Sequence, residues 1–306
     1  MIEAINGASK VLLLPHKNAD GDCLGSSFAL KLALLQMGKA AFVMTEEEEP
    51  LRLMSEIYCG ANAPLDGYDL VIAVDSADMS RLGMRARFFR GNTINIDHHI
   101  TNTNYAKINC VHPGAAAVGE IIYELIRDLG VEIDVQIATN LYAAIASDCG
   151  GFMYANTTVR TFAIAGELVR LGAEHIRINK YLFGTNSMAK IDLMKECLFN
   201  LKVHHGGKIA IVTISKEVLE RTGATLEECD GIVSIPRSVE GVEVAMLIKE
   251  TEAGCKVSMR SEGELDVSVF CKRFGGGGHK RAAGCELNMS IGEASQLMIK
   301  EVGNEL

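Results

Sequence analysis

Nothing in the 306-residue sequence approaches the ~18 consecutive apolar residues that a membrane-spanning helix needs. The opening residues MIEAINGASK also lack the basic start and apolar run of a secretory signal. The expectation is a cytoplasmic protein with no membrane partner. There is no Cys-x-x-Cys pair: the nine cysteines stand singly, and an odd number scattered over a chain this long excludes a disulfide framework. They read as reduced, mostly buried thiols. A basic excess is missing too, because 30 Lys and Arg against 39 Asp and Glu leave a net charge of -9. Proteins that track long nucleic acid neutralise phosphates with Lys and Arg, so an acidic chain argues against that class. No internal repeat is visible.

What is present describes an ordinary globular protein, 48% hydrophobic and 23% charged, long enough for two domains. Val11–Pro15, Leu70–Val74 and Thr93–Ile96 are short β-rich apolar runs, as expected of strands covered on both faces of a parallel sheet, and helical patterns lie between them. LGSSFALKLALLQMGK, after Asp22, reads as an amphipathic helix whose N-terminus suits an anion such as phosphate. This α/β pattern runs to about residue 184. Residues 185–204 read as a linker helix with Met188, Ile191, Met194, Leu198 and Leu201 on its apolar face. Strand patterns resume in KIAIVTIS, VEVAMLIKE and CKVSMRS, so residues 205–306 form a smaller α+β domain.

The chemistry-bearing residues sit at the ends of predicted strands: His16, Asp20 and Asp22 in HKNADGD, Asp75 in VIAVDSAD, Asp97, His98 and His99 in INIDHH, and Asp148 in AIASDCGG. In open α/β sheets ligands bind beyond the carboxyl ends of the strands. Carboxylates converging there would repel one another unless a cation lay between them, which points to a two-metal hydrolase. Neutralising one of them, as in Asp75→Asn, is expected to relieve repulsion in the metal-free protein. Cys23 and Cys149 each follow one of these aspartates, but hard cations prefer oxygen and imidazole to thiolate, so both read as packing residues. In the second half, Gly275–Gly278 lead into His279, and the following KRAAG reads as a helix start whose N–H groups would hold phosphate.

These four acidic and histidine motifs resemble those of the DHH phosphoesterase superfamily, and KVSMRS with FGGGGHKRAAG resembles the nucleic-acid-binding domain associated with it. Between them the resemblances span nearly the whole chain. They imply one cation on His16, Asp20 and Asp75, and a second on Asp22, Asp75, His98 and Asp148, with Asp75 shared. His99 would stabilise the phosphoryl group or protonate the leaving oxygen, and Asp97 would orient a histidine. Arg260, Gly276, Gly277, Gly278 and His279 would hold substrate, with Arg237 as a further candidate. Two Mn²⁺ ions suit this mixed His and carboxylate set better than Mg²⁺.

The branch it most resembles implies hydrolysis of very short oligoribonucleotides and removal of the 3'-phosphate of 3'-phosphoadenosine 5'-phosphate (pAp). Small phosphorylated substrates fit the acidic charge. A linear dinucleotide phosphodiesterase or another phosphohydrolase of the same fold is the alternative, and a non-catalytic nucleotide-binding protein the third. Monomer and homodimer both stay open. His204, His205 and the acidic run Glu46–Glu49 read as solvated, and the thirteen methionines as core filler.

Overall fold

The computed structural model describes residues 1–45, 67–229 and 231–306, so the Glu46–Glu49 run lies outside the described residues. Two compact units divide the chain, Met1–Thr185 and Asn186–Leu306. In the first, α1 (Ile2–Gly7), β1 (Lys10–Pro15), α2 (Gly21–Gln36), β2 (Ala40–Val43), β3 (Leu70–Val74), β4 (Thr93–Asp97) and β5 (Ile108–Val111) precede α3 (Val118–Asp128), α4 (Val135–Asp148), α5 (Val159–Arg170) and α6 (His175–Asn179).

The five strands form one parallel sheet in the order β2-β1-β3-β4-β5. Val11, Leu13, Ile72, Val74, Ile94 and Ile96 face a core shared with α2, α3 and α4. Leu12, Leu14, Val71 and Ala73 face the other way, onto Leu82 and Phe89. Both faces are therefore covered, which is why these strands are apolar throughout rather than alternating. The order reverses between β1 and β3, and at such a switch point the loops beyond the carboxyl ends part to leave a crevice.

Two helical expectations need correcting. The helix after Asp22 is not amphipathic: Gly21 through Leu34 are all buried, because α2 is packed between the sheet and α4. Asp148 does not follow a strand; it is the last residue of α4, a helix buried from Ile137 to Ala146 whose unbroken apolar run gives no face away.

In the second unit α7 (Met188–Asn200), β6 (Lys202–His204), β7 (Ile209–Ile214), α8 (Lys216–Thr222), α9 (Ser234–Arg237), β8 (Val244–Thr251), β9 (Gly254–Ser261), α10 (Val267–Lys272), β10 (Gly277–His279), β11 (Ala282–Leu287) and α11 (Ile291–Gly303) follow in turn. The sheet order is β10-β11-β9-β8-β7-β6, with only β7 and β8 parallel. Phe270, Met298 and Val302 pack on one face of it. On the other, α7 buries Leu193 and Cys197 against Val212, Ile214 and Leu247. The buried stripe of α7 therefore differs from the expected one, and Met188 and Leu198 are exposed. The expected helix after the glycine run is a β-hairpin instead: β10 pairs with β11, and Ala283, Cys285 and Leu287 alternate inward. Among the described residues no helix is long and apolar enough to cross a membrane.

Candidate metal centre

Eight residues meet at the switch point. His16 follows β1, Asp75 follows β3, Asp97 ends β4 with His98 and His99 beyond it, Asp20 and Asp22 open α2, and Asp148 closes α4. Asp20 caps α2, one oxygen accepting from Cys23 N–H (3.0 Å) while the other lies 3.9 Å from His16 Nε2. Asp22 is fully buried and accepts from the N–H groups of Val118 (2.7 Å) and Gly119 (2.9 Å) and from Ser26 Oγ (3.0 Å). The start of α3 thus holds it as a helix N-terminus holds any anion.

Asp75 is central. Its Oδ2 lies 3.5 Å from His16 Nε2, and its Oδ1 lies 3.7 Å from His98 Nε2 and 3.6 Å from His99 Nδ1. His98 Nε2 is in turn 3.4 Å from Asp148 Oδ2 and 4.0 Å from Asp22 Oδ2. The ligand atoms of Asp22, His98 and Asp148 fall within 4.8 Å of one another, as do those of His16, Asp75 and Cys23.

Ring orientation follows from backbone carbonyls, which only accept. His16 Nδ1 donates to Lys17 O (2.8 Å) and His98 Nδ1 to Ala115 O (3.1 Å), so each ring turns its Nε2 toward Asp75, a donor when the ring is charged and a lone pair for a cation when it is neutral. His99 Nδ1 is 2.8 Å from Asp97 Oδ1, and Asp97 Oδ2 accepts from Asn102 Nδ2 (2.5 Å).

Burial opposes the charged form of His16, but the charges and hydrogen bonds of its neighbours, among them the carboxylates of Asp75 and Asp20, outweigh it and raise the imidazole. Burial likewise opposes charge on His98 and His99; Asp75 and Asp22 reverse the effect for the first, and Asp97 and Asp75 for the second, so both are raised. Burial pushes Asp22 and Asp148 above the usual carboxylate range, with Asp75 and Asp148 adding to it for Asp22, and Asp20 and Asp75 for Asp148. Asp75 is held below that range, since the hydrogen bond from His16 and the charges of His99 and His98 overcome its burial. The histidines are thus pushed toward their charged form and Asp22 and Asp148 toward their neutral form, both of which soften the repulsion expected among the carboxylates. Three histidines face the Asp75 carboxylate and favour its charged form, so the structure supports the opposite expectation, that neutralising it costs stability in the metal-free protein.

The residues fit a pair of divalent cations. Among the described residues the buried Oδ1 of Asp75 has no hydrogen-bond donor, although a buried carboxylate oxygen needs a partner. The expected ligand atoms are carboxylate oxygens and imidazole nitrogens, a set that suits divalent cations. Cys23 braces the site from behind: its sulfur accepts from His16 N–H (3.2 Å) and its thiol donates to Val74 O (3.3 Å), tying β1 to β3. Burial pushes that thiol up to about 11 and the Cys149 thiol up to about 12, so both stay protonated at neutral pH.

The second unit arranges its own candidates on one sheet row. Ala245, Arg260, Ala282 and His279 are successive register partners on β8, β9, β11 and β10, so Arg260 and His279 stand about 10 Å apart on one face. Gly276 lies against Cys285, where an added Cβ would come within 2.1 Å of Gly284 O. Arg237 ends α9 and is ion-paired with Glu262.

Sequence reasoning missed Asn102, the α3 N–H groups on Asp22 and the Cys23 brace. Each depends on which loops fold together, and no spacing along the chain announces that.

Residues 10–145 match the DHH family, N-terminal domain, and residues 206–304 match the DHHA1 domain. The chain is 33% identical over 311 residues to the bifunctional oligoribonuclease and PAP phosphatase NrnA of Thermus thermophilus, spanning 100% of this chain and 92% of that protein. It is 27% identical to the protein of the same name from Bacillus subtilis, spanning 97% and 95%. Among solved structures, an exopolyphosphatase-related protein from Bacteroides fragilis superposes with a TM-score of 0.89 at 25% identity, covering 99% of this chain and 94% of that one.

Proposed function

The chain belongs to the DHH phosphoesterase family, and from that premise we propose that it is a two-metal hydrolase of very short oligoribonucleotides that also removes the 3'-phosphate of pAp. The observation that carries the reading is Asp75, whose two oxygens face His16 on one side and His98 on the other, as a carboxylate shared by two cations must. In this reading His16, Asp20 and Asp75 hold one Mn²⁺, and Asp22, Asp75, His98 and Asp148 hold the second.

When bound, a pair of such ions supplies a nucleophile at neutral pH and neutralises charge on an in-line displacement at phosphorus. The chain's own groups do the rest. The Lys17 and Ala115 carbonyls fix the rings of His16 and His98. Asp97 holds the His99 Nδ1 proton, leaving Nε2 to donate to a phosphoryl or leaving oxygen. In the second unit Arg260 and His279, with Gly276–Gly278, bind the base or a distal phosphate, and Gly277 and Gly284 leave their row open to a flat ligand.

Phosphate and nucleotide release, measured with Mn²⁺ on pAp, two- to five-nucleotide RNAs, a linear dinucleotide and pyrophosphate, tests this reading. Release from pAp and from the short RNAs is expected. Turnover of the linear dinucleotide alone would move the assignment to a dinucleotide phosphodiesterase, and no turnover of any substrate would leave a binding protein.

A further inference from the structure

We propose that Asn102 is a positioning residue, setting the Asp97–His99 pair through a single amide; this rests on the role given above to His99. The orientation of the amide is fixed by its surroundings. Its Oδ1 accepts from the backbone N–H of Asn104 (2.7 Å), a contact only the oxygen can make, so the nitrogen must face the other way. Three acceptors wait there: Asp97 Oδ2 at 2.5 Å, Asn95 Oδ1 at 2.7 Å and Ser76 O at 3.3 Å. Asn95 is itself held by Ser76 O (3.1 Å) and the Tyr105 hydroxyl (3.2 Å), so the acceptors cannot swing to suit Asn102.

Asp97 is fully buried, and its carboxylate has one oxygen on Asn102 and the other on His99 Nδ1. Without the amide, one oxygen of a buried carboxylate would lose its charge-assisted partner, and the group would turn to satisfy both oxygens from His99 or from solvent. His99 would then lose the single orientation that places Nε2. The same amide ties the loop carrying His99 to the carbonyl next to Asp75, and Thr103 N–H reinforces the tie at Ala77 O (2.9 Å). Asn102 thus links the loops after β3 and β4 without being a metal ligand.

The test is a double-mutant cycle on bis(p-nitrophenyl) phosphate with Mn²⁺, a substrate that needs no base recognition. Asn102→Ala should lower kcat about 10- to 100-fold, the usual effect of removing an orienting partner, with KM and bound metal unchanged. In a His99→Ala background the same change should alter kcat by no more than about twofold, because the residue through which it acts is gone. Asn102→Asp keeps the acceptor for Asn104 N–H, and so the turn, but replaces the donor; it should lose at least as much as alanine. Multiplicative losses in the cycle, loss of bound metal in Asn102→Ala, or wild-type kcat in either variant overturns the proposal. A readout independent of turnover is ¹⁵N-histidine NMR of the metal-free protein. Wild type should show a proton held on His99 Nδ1 and Asn102→Ala an exchange-broadened one; an unprotonated Nδ1 in wild type also overturns it. Because the NMR result needs no substrate, it stands or falls separately from the hydrolase assignment.

Discussion

Asp75 concentrates several constraints in one residue. It sits at φ 57, a left-handed conformation that costs a non-glycine residue about 1–3 kcal/mol, and its N–H is tied to Ile96 O at 2.9 Å. The strain turns a side chain at the end of a buried strand back into the crevice. Asp75→Asn should abolish hydrolysis on every substrate, since an amide cannot bridge two cations. Because His16, His98 and His99 all lean on the carboxylate, the variant should also melt below wild type in EDTA; a higher melting temperature there contradicts the charge arrangement described above. Arg260 offers a contrasting case. Arg260→Ala removes a charge-assisted phosphate contact and should weaken nucleotide binding by roughly 1.5–3 kcal/mol. The loss should appear as raised KM on pAp with bound metal unchanged, while bis(p-nitrophenyl) phosphate is hydrolysed nearly as before. Equal damage to both substrates would remove the second unit from substrate reading.

At the scale of elements, small residues bring the ligand-bearing helices together. A Cβ on Gly25 of α2 would meet Asn140 O at 2.5 Å and Ala144 N at 2.9 Å, and one on Gly119 of α3 would meet Ala144 Cβ at 2.8 Å. Gly25→Val must therefore push α4, and Asp148 at its end, away from Asp22. Overpacking of this kind costs about 1–3 kcal/mol, so a lowered melting temperature and weakened Mn²⁺ binding are expected together. Wild-type values in both, by thermal melt and metal titration, would show the crossing to be slack. These elements were unequally legible in the sequence. The runs before His16, Asp75 and Asp97 read as strands because both faces are buried and Val, Leu and Ile fill them. The helix carrying Asp148 gave no period, because it too is buried nearly all round. At residues 275–287 glycine and alanine suggested a loop and a helix, yet the inward alternation of Ala283, Cys285 and Leu287 marks a strand whose small outward residues hide its pattern.

For the whole molecule, acidity and metal content should trade against each other. His16 has its folded pKa raised from 6.5 to about 12, so the stability it contributes is full below about pH 6.5 and is lost as pH rises toward 12. The metal-free protein should therefore weaken from neutral pH upward. Metal affinity runs the opposite way, because ligand histidines must be neutral to bind. The gap in melting temperature between Mn²⁺-loaded and EDTA-treated protein should widen between about pH 6 and about pH 8.5. If the EDTA-treated protein melts higher with rising pH over that range, the proton-held picture of the site fails. The clamp on Asp22 adds a dimension of time. Its N–H donors lie 96 and 97 positions further along the chain, on a helix that follows the last strand of the sheet. Such distant contacts form late, since the chain between them must be closed before they return anything. In a nascent chain leaving the ribosome, the second cation's place, which needs Asp22 and Asp148, is thus complete only once α3 and α4 have been synthesised and packed, later than the residues His16, Asp20 and Asp75 proposed for the first.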